Sequence, residues 1–97
     1  MKRKIALRPA ARIDLRNISA YSKKNWGRQT AQEYVSRLIR SLEEVDALKA
    51  LIKDAEVGRP GLKKLLIGSH ILYFHIGKDK VDVVRILHGK MDPFRHL

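Results

Sequence analysis

The last strand-like run of this chain and the residue after it could perform acid-base chemistry on a phosphate. The run Val81–Leu87 contains one arginine, Arg85, and His88 follows it directly. Cleavage of RNA beside its 2′-hydroxyl needs only a general base, a general acid and cations that stabilise the crowded phosphorane. Arg85 as phosphate stabiliser and His88 or Tyr73 as proton carrier would supply that chemistry, with Lys63–Lys64 as further cations.

A structural role for the same residues is the alternative that we favour. Arg85 can pair with a nearby acid, Asp82 or Asp92, and His88 can pack under the tail that follows it. Residues with perturbed ionisation occur in structural ion pairs as well as in active sites, so their types alone do not establish catalysis. The sequence therefore predicts no catalytic residue, and keeps Arg85 with His88 as the catalytic alternative.

Other chemistries find no support in the residue pattern. The chain has no Gly-rich phosphate loop, no HExxH motif and no cysteine. His70 and His75 are five apart, so on a regular strand they point to opposite faces and cannot share an ion. His88 and His96 lack neighbouring carboxylate or thiolate ligands that would complete a metal site. We therefore predict no metal and no cofactor.

The charge of the chain is strongly positive and unevenly distributed. Lys and Arg number 21 against 10 Asp and Glu, which gives a formal net charge of +11. Residues 1–42 hold eleven bases and two acids, whereas residues 43–57 hold two bases and five acids. Such an excess attracts nucleic acid, a nucleoprotein or an acidic protein partner. Bases that are only solvated on helix faces are the alternative explanation.

The length of 97 residues fits one domain, which we place at 1–97. The basic start, Met1–Arg8, is not followed by a signal-peptide core, because Arg8 and Arg12 interrupt the apolar residues. No stretch approaches the length of a membrane span. A cytoplasmic protein that does not act at a membrane is expected.

Two helices are predicted after a short strand, Lys4–Leu7. Pro9 can begin the first helix, because its missing N–H costs nothing in the first turn. Trp26 beside Gly27 is predicted to be a core plug at the corner between the helices. Thr30–Glu33 has capping-box spacing, and the second helix is predicted to end near Leu51 or Ile52. Two stripes of the first helix are predicted, an apolar one (Ala11, Leu15, Ile18, Ser22) and a basic one (Arg8, Arg12, Arg16, Lys23).

The second half of the chain has the period of β-strands. Lys53–Pro60 is predicted to be a connection, and three strands follow at Leu62–Ile67, His70–Ile76 and Val81–Leu87. Gly68-Ser69 suits a type II′ hairpin turn. The pattern predicts an α+β fold with the order β-α-α-β-β-β, in which a helical hairpin packs on a small antiparallel sheet.

The chain resembles the RelE/ParE superfamily of toxins from bacterial type II toxin-antitoxin modules. The Arg-Ile-Leu-His, Met-Asp and His-Leu ending is similar to the ParE branch rather than the RelE branch. The likeness covers nearly the whole chain and rests on these positions: Leu7-Arg8-Pro9-Ala10-Ala11, Asp14-Leu15, Ile18, Tyr21, Trp26-Gly27, Ala31, Tyr34, Gly61-Leu62, Gly68-Ser69-His70, Tyr73, Val84-Arg85-Ile86-Leu87-His88, Met91-Asp92 and His96-Leu97.

The resemblance implies a toxin held inactive by a ParD-like antitoxin, whose flexible segment wraps it, and a released form that poisons DNA gyrase and blocks replication. RelE-like relatives instead cut messenger RNA on the ribosome, and this is the alternative function; a non-toxic basic binding module is a third. Because the tail has no tyrosine and the sheet has few bases, the chain departs from the RelE pattern.

The resemblance to the ParE branch leads to expectations about which residues bind the target and which bind the antitoxin. We place target binding at the end of the last strand and in the tail. An apolar cleft between hairpin and sheet would suit an acidic segment that folds on binding, which the bases of the first helix would steer. The expected target-binding residues are Arg85, His88, Met91, Asp92 and His96, and the expected antitoxin-binding residues are Arg12, Arg16, Leu15 and Tyr73.

Overall fold

A computed structural model describes residues 3–97, so Met1 and Lys2 of the basic start lie outside the described part. Among the described residues no helix is long and apolar enough to cross a membrane. The elements in chain order are β1 (Lys4–Leu7), α1 (Pro9–Trp26), α2 (Arg28–Glu43), a 3₁₀ turn (Lys49–Leu51), β2 (Lys53–Asp54), β3 (Lys63–Ile67), β4 (His70–Ile76), β5 (Lys80–His88) and a single turn α3 (Pro93–His96).

The five strands form one mixed sheet in the order β1-β5-β4-β3-β2. The predicted meander of β3, β4 and β5 is confirmed as antiparallel. β1 lies beside β5 and runs parallel to it, with Leu7 opposite Val83, a pairing that the sequence did not indicate. The α+β class and the helical hairpin on the sheet are therefore confirmed, with β2 and α3 as additions.

Two buried clusters hold the layers together, one on each face of the sheet. Leu38, Leu72 and Phe74 belong to the cluster between the helices and the sheet. Tyr73 and Leu87 belong to a smaller cluster on the other face, where Val57 and Leu97 pack against them. The central strand β4 is thus covered on both faces, because alternate side chains enter different clusters.

The hairpin of helices has a one-residue connection. Gly27 has a φ of 91°, which ends α1, and its carbonyl accepts the Ala31 N–H at 3.1 Å, so α2 starts at Arg28. A side chain at this φ would be strained, which explains the glycine. The predicted capping box is therefore wrong, because Thr30 already lies inside the helix and no side chain caps it.

The second helix ends earlier than its apolar period predicts. α2 stops at Glu43, and the chain continues through turns that are closed by i→i+3 bonds, among them Leu51 N–H to Leu48 C=O at 2.9 Å. Val45 remains fully buried and Leu48 packs on the core. A spacing of three or four residues serves α-helix and 3₁₀ turns alike, so it did not distinguish them. The predicted connection Lys53–Pro60 also contains the short strand β2.

Candidate functional site

Arg85 is held in an ion pair inside the fold. Its Nε and Nη2 lie 2.7 and 2.8 Å from the two carboxylate oxygens of Asp14, and its Nη1 donates to the His96 carbonyl at 2.7 Å. The side chains of Arg85 and Asp14 are 21% and 12% exposed. The hydrogen bond to Asp14 is the main cause that raises the pKa of Arg85. All three guanidinium nitrogens of Arg85 thus donate charge-assisted hydrogen bonds to groups of this chain.

Asp14 also binds the backbone of β5 beyond the end of β1. β1 stops pairing with β5 at Leu7↔Val83, and the Asp14 carboxylate accepts the Ile86 N–H, three residues further along β5, at 3.0 Å. The predicted acids Asp82 and Asp92 are not the partners of Arg85, and that prediction is wrong. Asp82 pairs with Arg8 at 2.8 Å, and Asp92 accepts the Phe94 N–H at 3.0 Å, which caps α3.

The other predicted target-binding residues do not form one cluster with Arg85. Met91 is exposed and His96 is half-buried, with its carbonyl bound to Arg85. His88 is half-buried at the end of β5, where its Nδ1 accepts the Lys90 N–H at 3.2 Å. The structure thus places these side chains along the last strand and tail, and it adds the exposed ring of Phe94 beside them.

A cleft of about 560 Å³ opens between the helical hairpin and the end of the sheet. The aromatic rings of Tyr21 and Trp26 meet edge to face on it, with ring centroids 5.7 Å apart. We call this site the cleft, and it is lined by Asn17, Ile18, Tyr21, Ser22, Trp26, Thr30, Tyr34, Ser69, His70 and His88. The predicted apolar cleft between hairpin and sheet therefore exists.

Trp26 is not in the core, where the sequence analysis placed it. It is 61% exposed and is not a core plug, because the one-residue turn at Gly27 leaves no helix-helix corner for a large ring to fill. The other side chains of the cleft were not singled out as one site either. The signal in the sequence was the spacing of Ile13, Asn17 and Tyr21, which are four residues apart and so lie on one side of α1; the structure shows all three to be exposed.

The floor of the cleft is a hydrogen-bonded hub around the hydroxyl of Tyr34. This hydroxyl lies 3.2 Å from the Ile67 carbonyl, 3.3 Å from the Ser69 N–H and 2.7 Å from Nδ1 of His70. Because a hydroxyl has one proton, its donation to Ile67 requires that Nδ1 of His70 donate to it. His88 stands edge to face with His70, with ring centroids 5.4 Å apart. The two imidazoles are therefore direct neighbours on the floor of the cleft.

The stability of the fold is expected to fall as His70 becomes protonated. Burial, and secondarily the neighbouring His88, lowers the pKa of His70 below its ordinary value of 6.5. The unfolded chain therefore binds this proton first. The stability contributed by neutral His70 is complete above about pH 6.5 and is lost as the pH falls through the folded-state pKa.

Urea unfolding between about pH 8 and pH 5 measures this effect. His70→Asn should flatten the pH dependence, since an amide nitrogen can take the place of Nδ1 without titrating in this range. His75→Asn is the matched control, because His75 lies outside the cleft. The assignment to His70 fails if both variants retain the wild-type pH dependence.

A second depression runs along the other side of α1, towards α2. It has a volume of about 400 Å³, and we call it the groove; its lining is Arg12, Leu15, Arg16, Ser19, Ala20, Lys23 and Val35. Three of the four expected antitoxin-binding residues, Arg12, Leu15 and Arg16, thus lie together. Tyr73 lies elsewhere and is only 2% exposed, and burial raises the pKa of its hydroxyl. Its ring is not available as a surface contact.

Within residues 3–97, no group of three or more histidine or acidic side chains is arranged to hold a metal ion. The cleft presents hydrogen-bonding imidazoles and exposed aromatic rings, and the groove presents surface cations. These groups suit recognition of another molecule.

Comparisons with known proteins agree on one family. A family model described as the ParE toxin of type II toxin-antitoxin systems, parDE, matches residues 5–93. A Toxin ParE1 of Mycobacterium tuberculosis is 34% identical over 98 residues and covers 100% of both chains. A Toxin ParE1 of Caulobacter vibrioides is 30% identical over 87 residues, 90% of each chain. The structure of a chromosomal ParDE toxin-antitoxin system from P. aeruginosa superposes with a TM-score of 0.68 at 15% identity, over 90% of this chain and 96% of that one.

Proposed function

This chain belongs to the ParE toxin family of type II toxin-antitoxin systems, and we propose that, when free of its antitoxin, it binds and inhibits DNA gyrase and so blocks replication. The family match over residues 5–93 is the observation that carries this proposal. The target surface that we propose follows the end of β5 and the tail, with His88, Met91 and His96 as contacts.

The geometry of Arg85 supports action by binding. An endonuclease of the alternative kind would use this guanidinium on a phosphate, but three of its N–H groups already bind Asp14 and His96. Releasing it would leave the Asp14 carboxylate without its cation in a largely buried site, which is costly. We therefore assign Arg85 to the support of the target surface and Asp92 to the cap of α3.

The partner that holds the toxin inactive is, in this proposal, an acidic ParD-like antitoxin. The groove presents Arg12, Arg16 and Lys23 around the apolar side chains of Leu15 and Val35. Cations around an apolar strip fit an acidic amphipathic segment, because the charges raise the association rate and the apolar contacts supply affinity. The related P. aeruginosa structure is described as a ParDE system, which is consistent with such a partner.

Charge reversal in the groove is expected to slow antitoxin association. Arg12→Glu with Arg16→Glu should lower the association rate constant about tenfold or more at low salt, with a shallower salt dependence than wild type. Stopped-flow binding with the product of the adjoining reading frame measures both. Arg37→Glu with Arg40→Glu on α2 is the control of equal charge, since neither residue lines the groove. Equal slowing by both pairs would show that only net charge matters.

The alternative function is a ribosome-dependent mRNA endonuclease. The observation that favours it is the contact between His70 and His88, because two neighbouring imidazoles can act as base and acid. His88 would then be the proton carrier of the reaction.

Expression of this chain without a partner tests the toxin function, and growth arrest relieved by the adjoining gene product is the expected result. Purified protein is then assayed for inhibition of gyrase supercoiling and, separately, for mRNA cleavage on programmed ribosomes. We expect supercoiling inhibition and no cleavage. Cleavage that His88→Ala abolishes would reject the gyrase proposal in favour of the endonuclease. Growth without arrest would favour a non-toxic binding module.

A further inference from the structure

Most bases of this chain lie outside ion pairs. Within residues 3–97 the ion pairs are Arg3–Asp46, Arg8–Asp82, Lys63–Asp54 and Arg85–Asp14. Of the 21 bases, Lys2 lies outside the described part and four are paired, which leaves sixteen; of the ten acids, four are paired, which leaves six. The excess positive charge is therefore not neutralised within the fold, and it attracts a polyanion.

The helical hairpin carries the densest part of this charge. Residues 9–43, all of them described, contain seven bases that are exposed and outside ion pairs, against three acids. One of the three acids, Asp14, is bound to Arg85. The acid-rich segment 43–57 begins where α2 ends, at the opposite end of the hairpin from its tip, residues 23–28. A polyanion is thus attracted to α1 and the tip and repelled from the other end.

Three bases of α1 form a row along the groove. These are Arg12, Arg16 and Lys23, and we call them the row. Because an α-helix has 3.6 residues per turn, positions four and eleven residues apart lie within about 40° of each other around its axis. At about 1.5 Å per residue, the row is about 16 Å long. Along about 16 Å of duplex DNA each strand carries roughly five phosphates, so every base of the row can meet one.

The chemistry of the row fits a sugar-phosphate backbone. Between Arg16 and Lys23 the groove is lined by Ser19 and Ala20, whose small side chains leave room for a backbone to approach. Arg, Lys and Ser side chains commonly bind phosphate oxygens, and such contacts carry no sequence information. A straight row of fixed cations also matches a stiff duplex with regularly spaced phosphates better than a flexible single strand.

We propose that the row, together with Lys24 and Arg28 at the hairpin tip, binds the phosphate backbone of duplex DNA without reading its sequence. This inference rests on the proposed function in its choice of DNA over RNA, because gyrase acts on duplex DNA. A toxin bound to that DNA is concentrated near its target. The antitoxin segment is proposed to use the same groove, so DNA and antitoxin exclude each other from it.

The salt dependence of DNA binding measures how many phosphates the protein contacts. Fluorescence anisotropy of a short labelled DNA duplex, titrated with the full-length protein, gives the association constant K at each salt concentration. For five contacts a plot of log K against log salt concentration should have a slope of about −4.5, since each contributes about 0.9. Arg12→Gln with Arg16→Gln and Lys23→Gln should reduce the slope to about −1.8 and weaken binding a few hundredfold at about 0.1 M salt. Duplexes of different sequence should bind alike.

A second triple variant with the same loss of charge is the matched control. Lys49→Gln, Lys53→Gln and Arg59→Gln remove three exposed bases that lie outside α1 and α2. This variant should keep a slope close to that of wild type, because the slope counts the bases that contact phosphates. Circular dichroism and thermal unfolding confirm that both variants are folded. Equal losses of affinity and slope in the two variants overturn the row as the binding site, since only net charge would then matter.

The remaining outcomes separate this inference from the function on which its choice of DNA rests. Gyrase inhibition by a wild-type protein that does not bind DNA overturns the DNA surface and leaves the proposed inhibitor intact. DNA binding that depends on the row, in a protein that does not inhibit gyrase, supports the surface and rejects the proposed target. An RNA duplex of the same sequence that binds more tightly than the DNA overturns the choice of DNA and assigns the row to RNA.

Discussion

Asp14→Ala is expected to lower the free energy of unfolding by about 3 kcal/mol, the usual cost of removing one member of a largely buried ion pair. The variant leaves the Arg85 guanidinium without its carboxylate and the Ile86 N–H without its acceptor. Both groups are only partly reachable by water, so solvent does not replace the lost bonds in full. Urea unfolding at neutral pH measures the loss.

Asp82→Ala is the matched control for this prediction. Asp82 binds Arg8 through two hydrogen bonds of 3.2 and 2.8 Å, so the two pairs have the same chemistry. The Arg8 and Asp82 side chains are, however, 46% and 30% exposed, and exposed pairs contribute about 1 kcal/mol or less. Equal losses in the two variants would show that burial of Arg85 adds nothing to its pair with Asp14.

Gly68→Ala is expected to destabilise the protein by about 3 kcal/mol, through backbone strain and a steric clash together. Gly68 has a φ of 57°, and an added Cβ would lie 2.8 Å from Cε1 of Tyr34 and 2.9 Å from its hydroxyl. The ring cannot move away freely, because the hydroxyl is bound to Ile67, Ser69 and His70. The clash should therefore also deform the floor of the cleft.

Gly58→Ala is the control that has backbone strain without a steric clash. Gly58 has a φ of 76°, but an added Cβ there would meet no atom within 4 Å. We expect only the strain, about 1 kcal/mol. Chemical unfolding of the two variants gives the difference directly, and losses of similar size would mean that Tyr34 moves aside at little cost.

The proposed target contacts and the residue that supports them have different roles in the C-terminal part of the chain. The proposed target contacts are His88, Met91 and His96, whereas Arg85 holds the strand edge against α1 through Asp14. Substitution of Arg85 would therefore reduce toxicity through loss of structure as well as any loss of contact. Toxicity assays on Arg85 variants are informative only beside a measurement of their stability.

Much of the fold followed from local patterns in the sequence. The bounds of β1 and β4, the start of α1 at Pro9 and the hairpin at Gly68-Ser69 are as predicted. Gly68 has a positive φ of 57° and Ser69 does not have a positive φ, which agrees with the predicted type II′ turn. These features depend on residues within a few positions of each other, so local periodicity and turn chemistry are sufficient to specify them.

The sequence by itself determined the order of the main elements, the basic character of the chain and the motif at its end that resembles the ParE branch. Only the tertiary structure decided what those residues contact. Arg85 is bound to Asp14, 71 positions away, and the cleft combines side chains of α1, α2, the β3–β4 turn and the end of β5. Trp26 is exposed on the rim of the cleft, although its apolar ring would suit a core position. Local spacing does not encode that geometry, since it arises from how the whole apolar surface of the helices packs on the sheet.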